Sequence, residues 1–308
     1  MSQLLSIVKE CDLFPYEQDL KPSHYLLKTH DGRATIGHII PTVATELLDK
    51  FPDFLTLKPS KELWINPKLS TESLRSTKIA EVASQLRQTH IEQFPTLKGW
   101  RAELYTAYYP NHTKYFQIER AFAPLLGIVM YGVHINGYIP ASEEEGLKLW
   151  IPRRSIHKPT FPGMLDNTIA GGLGGGLDPL ETAVKESYEE AGIEQSYIRH
   201  NLKQVGSVSY IYICQDEGGL IQPEIQYVYD LKFTKEMIPT PIDGEVQEFY
   251  LMPLGEVLQK LNNREFKPNC ALVVIDFLIR HGFITAENEA DYLEIVHRLH
   301  RNVGLPTR

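Results

Sequence analysis

Hydrophobic and polar positions along this chain follow two rhythms, and their balance changes near residue 120. Up to that point helical and strand patterns are short and mixed. A helical stretch at about 2–11 is followed by YLLKTHDGRATIGHI, two alternating runs around Asp31-Gly32 that predict a β-hairpin. Helical patterns follow near 41–50 and 70–89, and GWRAELYTAYYPNHTKYFQIERA predicts two strands parted at Pro110, Asn111 and His112. From Phe122 the chain turns strand-rich: GIVMYGVHINGYI, the acidic turn from Glu143 to Gly146, and LKLWIPRRS. Further strands are expected in QVGSVSYIYIC, EIQYVYDLKF and EVQEFYLM, and helices at 253–263, 268–281 and 287–300. These patterns place a small α+β unit at 1–120 and a second α+β unit at 121–308.

Between Gly171 and Ile193 the chain reads GGLGGGLDPLETAVKESYEEAGI. Asp178 is placed to cap a helix, Pro179 suits its first turn, Glu181 stands three after the cap and Gly192 ends it. Leu180, Val184, Ser187 and Ala191 are expected to face a core. Glu186, Glu189 and Glu190 then share another face within two turns, where like charges destabilise a helix and oppose its dipole. A hard, oxygen-seeking divalent cation turns that repulsion into a binding site.

The segment resembles the Nudix box: Gly, five residues, Glu, seven residues, Arg-Glu, an apolar residue, any residue, Glu-Glu, any residue, Gly, apolar. Gly171, Glu186, Glu189, Glu190, Gly192 and Ile193 match, whereas Leu177, Lys185 and Ser187 stand in place of glutamate, arginine and an apolar residue. Lysine keeps the arginine's charge without its planar, two-pronged donors. The resemblance continues through LWIPRRS (149–155), KPTFPGMLDNTIAGG (158–172), QYVYDL (226–231), DGEV (243–246), FKPNCALV (266–273) and DFLIRHG (276–282). It is similar there to the Nudix half of fungal thiamine pyrophosphokinase and to yeast and plant Nudix hydrolases of oxidised thiamine diphosphates. The resemblance implies a Nudix α/β/α sandwich with a mixed sheet, preceded by the small α+β domain. It also implies a Mg2+- or Mn2+-dependent diphosphatase that converts oxythiamine diphosphate or a related oxo form to monophosphate and phosphate. A nucleoside diphosphate derivative as substrate, or a module that binds such a ligand without cleaving it, are the alternatives.

Glu186, Glu189 and Glu190 are the expected metal ligands, Glu189 doubling as a candidate base, with Lys185 their electrostatic anchor. Arg153, Arg154 and Lys158 follow a strand and are candidates for the diphosphate, with pairing to Glu143–Glu145 as the structural alternative. Arg153 and Arg154 point to opposite faces of that strand, so one of them is expected to serve. Glu245 and Glu248 begin a strand where many Nudix enzymes carry an additional ligand or base, Glu245 being the better placed. Gly171 and Gly172 allow a backbone carbonyl and a diphosphate to approach closely. Trp64, Tyr131, Tyr210, Tyr212 and Tyr227 are candidates for stacking on an aromatic head group, against an ordinary packing role.

Composition narrows the partners. Of 308 residues, 31 are Lys or Arg and 39 Asp or Glu, a net charge of −8 that argues against nucleic acid. No run approaches the ~20 apolar residues that span a bilayer, so a membrane location is not expected. Cys11, Cys214 and Cys270 are odd in number and widely spaced, which indicates neither a disulfide framework nor a zinc site. With no leader-like opening, a cytoplasmic setting is expected; the partner is a small diphosphate, and a homodimer is one option for assembly.

Overall fold

The computed structural model describes residues 1–16, 23–143 and 145–308. Helix α1 (Gln3–Cys11) opens the chain, its cap set by Ser2 Oγ accepting from the Leu5 N–H. The expected hairpin forms from β1 (Tyr25–Lys28) and β2 (Thr35–Ile39), followed by α2 (Pro41–Lys50). Two short strands, β3 (Leu55–Lys58) and β4 (Glu62–Ile65), precede α3 (Glu72–His90). They escape the sequence pattern because each has four residues and Pro59 stands between them. The four strands form a sheet in the order β2-β1-β4-β3, with β1 and β4 parallel. A separate hairpin, β5 (Leu104–Tyr108) with β6 (Lys114–Glu119), leads into the short α4 (Ala123–Leu126).

The second unit contains β7 (Met130–Ile139), β8 (Lys148–Arg154), β9 (Ile169–Gly172), α5 (Pro179–Ala191) and α6 (Gln195–Asn201). It continues with β10 (Leu202–Cys214), β11 (Leu220–Lys232), β12 (Val246–Pro253), α7 (Leu254–Asn262), α8 (Pro268–Arg280) and α9 (Tyr292–Leu299). Its mixed sheet runs β10-β11-β7-β8-β12, with β9 beside one end of β7; β7 and β11 are parallel and the other pairs antiparallel. On one face α5 and α6 bury Val184 and Ile198 against Val133, Ile135, Ile169 and Leu231. On the other, α8 is buried almost all round, with Leu272, Val274 and Phe277 packed among Leu149, Val208 and Val228. The result is an α/β/α sandwich preceded by a small α+β domain. The helix α6 was not foreseen, and the last helix is shorter than its pattern suggested.

The chain ends cross between the units. Residues 1–11, grouped with the first unit by sequence order, lie instead in the sandwich: Leu5, Val8 and Cys11 of α1 pack with α8 and α9. In return Val303 and Leu305 are buried in the first core, which also takes in Tyr131, Ile211 and Ile221 from the sandwich. The helical spacing of Leu5 and Val8 marks a buried face but not its partner, which long-range packing decides. Glu144, within the expected acidic turn, lies outside the described residues.

Candidate active site

Helix α5 carries the acidic face. Asp178 occupies the N-cap position but makes no side-chain cap; its carboxylate takes the Arg308 guanidinium at 2.5 Å. Glu181 likewise turns to Arg199, 2.7 Å away, so the expected capping box is absent. At the other end Gly192 adopts φ +64° and its N–H reaches the Ser187 and Tyr188 carbonyls. Val184, Ser187 and Ala191 are buried as expected, whereas Leu180 is exposed, because it falls at the first turn before α5 meets the sheet. Ser187, in place of an apolar residue, satisfies its hydroxyl by donating to the Ala183 carbonyl at 2.6 Å.

The acids differ sharply in surroundings. Glu190 is 7 % exposed and accepts one hydrogen bond, from the Ala170 N–H of β9 at 3.1 Å. Burial, then the nearby Asp166, Glu186 and Glu245 charges, push its carboxyl well above the ordinary range. Burial also raises Glu186, although Lys185 opposes the shift from 3.2 Å. Lys185 reaches Glu189 at 2.8 Å as well, and its ammonium is raised to about 12, chiefly by that contact. Gly171 explains itself here: a Cβ at this position would lie 2.5 Å from Glu186 Cδ. Leu177 is exposed just before the helix, its N–H donating to the Gly174 carbonyl at 3.3 Å and its carbonyl accepting from Arg308.

A narrow cleft beside Glu190 is lined by Pro152, Arg154, Asp166, Asn167, Glu245 and Val246. Arg154 donates to Asp166 Oδ2 at 2.6 Å and to the Thr160 and Phe161 carbonyls. Lys158 pairs with Glu245; burial opposes its ionisation, yet the lysine holds the carboxyl below the usual range. Arg153 is not in the cleft: pointing the other way from its neighbour, it bonds Tyr250 and the Gly163 carbonyl, and Glu248 accepts from the same Tyr250 hydroxyl. Among the described residues neither arginine pairs with Glu143 or Glu145; Glu145 takes Lys148 and Lys235.

Asp166 escaped the sequence reading. It lies in a loop without periodicity, inside the 158–172 stretch that resembles the family but singles out no residue, and the fold brings it to Glu190. Burial works against its charge, but Lys267 and Arg154 keep its carboxyl below the usual range. Asp166, His134 and Cys270 place three potential ligand atoms within 4.8 Å of one another, a grouping not expected of Cys270. Their polar atoms are already engaged, with Cys270 Sγ donating to Asp166 at 2.6 Å and His134 Nδ1 2.7 Å from Asn167. Of the aromatic candidates, Trp64 packs on the hairpin turn, Tyr131 and Tyr227 stack on each other, and Tyr210 is buried with its hydroxyl on Glu224.

Helix α5 thus turns the under-compensated Glu190 into a cleft that it shares with Asp166 and Glu245. Residues 133–271 match the NUDIX domain, and residues 17–130 match a domain of unknown function (DUF4743). The chain is 38% identical to Nudix hydrolase 20, chloroplastic, of Arabidopsis thaliana, over 87% of its own length and 74% of that protein. It is 37% identical to Nudix hydrolase 24, chloroplastic, of the same plant, with the same coverage of 87% and 74%. It is 42% identical to the uncharacterized protein YJR142W of Saccharomyces cerevisiae, over 98% of this chain and 92% of that one. Among solved structures, DR0079 of Deinococcus radiodurans is 19% identical, with a TM-score of 0.35 over 56% of this chain and 83% of that chain. The chain belongs to the Nudix hydrolase family.

Proposed function

We propose that this hydrolase removes the terminal phosphate from diphosphates of thiamine derivatives, oxythiamine diphosphate foremost, with Mg2+ or Mn2+. The observation that supports it is the convergence of Glu190, Glu245 and Asp166 on one partly buried cleft, with the Glu186 charge near Glu190. Glu190 there has one backbone N–H as compensation. All are hard oxygen donors, and among the described residues no salt bridge reaches Glu190, so the donor set fits a hard divalent cation. Glu186, Glu189 and Glu190 would hold it. Bound there, such an ion supplies Lewis-acid stabilisation of the diphosphate charge.

The chain's own groups do the rest. Lys185 holds Glu186 and Glu189 in one orientation. Glu245, kept ionised by Lys158, faces the cleft and can take a proton from the attacking water at its carboxylate. Arg154 has five N–H donors, three of them engaged, which leaves two for a phosphate oxygen. Gly171, without a side chain, lets Glu186 of the acidic face lie close against β9, whereas Gly172 faces Tyr105 and Arg120 on the other side of the sheet. Head-group selectivity rests on the similarity of residues 149–282 to hydrolases of oxidised thiamine diphosphates.

Product release from oxythiamine diphosphate, thiamine diphosphate and ADP, read as orthophosphate, and from ADP-ribose, read as AMP and ribose 5-phosphate, with Mg2+ and with EDTA, tests the reading. Metal-dependent release is expected, fastest from oxythiamine diphosphate, with oxygen-18 from water entering the orthophosphate. A clear preference for ADP-ribose would remove the thiamine reading; no release from any diphosphate would remove the catalytic one.

A further inference from the structure

The run from Leu173 to Leu177 leads from β9 toward α5, and three of its five residues are glycines. None of its side chains can hydrogen-bond, and glycine backbone has the most conformational freedom to lose. Asp178, at the helix start, makes no cap that would fix the run from that end. The restraint comes from the amino-terminal unit, in two places.

The first hold is direct. The Gly175 N–H donates to the Leu104 carbonyl of β5 at 2.5 Å. A Cβ on Gly175 would lie 2.9 Å from that oxygen, 3.0 Å from Gln117 Nε2 and 3.1 Å from Thr106 Oγ1, so the loop backbone is seated on the β5–β6 hairpin with no room for a methyl group. Gly175 is not in the left-handed region, so close approach is what requires glycine there. The second hold is relayed through the hairpin tip. Asn111 Oδ1 accepts from the Thr307 N–H at 3.1 Å, and the His112 N–H donates to the Thr307 carbonyl at 3.0 Å. The next residue, Arg308, has its own N–H on the Tyr131 hydroxyl at 2.9 Å. Its guanidinium then spans two neighbouring acceptors, the Leu177 carbonyl at 2.6 Å and the Asp178 carboxylate at 2.5 Å, as a planar fork can.

We propose that the β5–β6 hairpin clamps the entry to α5, with Gly175 and Arg308 as positioning residues that fix the acidic face of the helix against β9. A helix moves as a rod, so a shift at Asp178 carries Glu186, Glu189 and Glu190 with it and disturbs the bond from the Ala170 N–H to Glu190. The proposal rests on the metal reading above and gives the amino-terminal unit a role in holding the cation's ligands.

The test compares the wild-type full chain with Arg308→Gln, Gly175→Ala and, as control, Arg33→Gln in the β1–β2 turn, by amide hydrogen exchange and by Mn2+ titration followed by electron paramagnetic resonance. In Arg308→Gln and Gly175→Ala, amides of residues 174–182 are expected to exchange about 10-fold faster, the size of one lost hydrogen bond, with those of α8 unchanged. Mn2+ is expected to bind about 5-fold more weakly, with little change in the unfolding midpoint. Arg308→Lys, which keeps the charge without the fork, should recover part of that affinity. Arg308→Gln adds no bulk, so it reads the clamp even where Gly175→Ala does not fold. Unchanged exchange in this segment, or faster exchange with wild-type Mn2+ affinity, overturns the proposal. A wild type that takes up no Mn2+ overturns the metal reading instead, and the exchange rates then decide by themselves whether the hairpin holds α5.

Discussion

Two buried carboxylates, Glu190 and Asp12, are treated in opposite ways. Asp12, fully buried, accepts from Arg301 at 2.8 Å, Arg298 at 3.1 Å and the Tyr16 hydroxyl at 2.8 Å, so its charge is compensated on both oxygens. Glu190 has the Ala170 N–H and otherwise faces three more acids. The first arrangement ties the chain ends to the sandwich; the second leaves repulsion that a proton or a bound cation would relieve. Stability and function therefore separate by where the counter-charges were built in.

The largest expected effect breaks this contrast at its functional end. Glu190→Gln should lower kcat about a thousand-fold, several kcal/mol of charge stabilisation, while raising the unfolding midpoint of the metal-free protein. Stopped-assay rates and thermal melts with and without EDTA measure both. A variant that turns over normally removes Glu190 from the site.

Asp12→Ala should do the reverse. Stranding Arg298 and Arg301 is expected to lower stability by about 3 kcal/mol in urea melts, with residual folded protein keeping wild-type Mg2+ dependence. A loss under 1 kcal/mol would mean that the pairing contributes little.

A further contrast lies in the amino-terminal unit, where the His38 ring packs at a tilt against Phe14 and lies 3.1 Å from His24. Burial, then the His24 and Arg301 charges, lower its pKa from 6.5 to about 3. The folded state therefore binds the proton less readily than the unfolded state. Stability is full above pH 6.5 and falls as pH drops toward 3. By pH 5 the loss from this group is about 2 kcal/mol. Urea melts from pH 7 to 5 should show the fall, flattened in His38→Gln; an unchanged slope in that variant would assign the pH dependence elsewhere.

The smallest effect concerns Lys185, half exposed and paired with Glu186 and Glu189. Lys185→Ala should raise the Mg2+ concentration for half-maximal rate a few-fold, consistent with an exposed pair worth under about 1 kcal/mol, and Lys185→Arg should restore it. Unchanged magnesium dependence in Lys185→Ala would make the lysine an ordinary surface charge.

Local chemistry was legible where periodicity or caps speak for themselves. The acidic face of α5, the αL glycine at 192 and the β1–β2 hairpin follow from spacing over a few residues. The strands β3 and β4 were hidden because four residues are too few to establish alternation. Cap chemistry misled at Asp178 and Glu181, since Arg308 and Arg199 arrive from distant sequence to take both carboxylates.

The amino-acid sequence by itself determined the helix, the three glutamates on one of its faces and the strand-rich frame around it, because these depend on 3.6- and 2-residue repeats within single elements. Tertiary structure alone decided that Asp166 and Glu245 share the Glu190 cleft and that Arg153 does not. Residues 166, 190 and 245 are brought together by strand register and shared core packing, which no local pattern encodes.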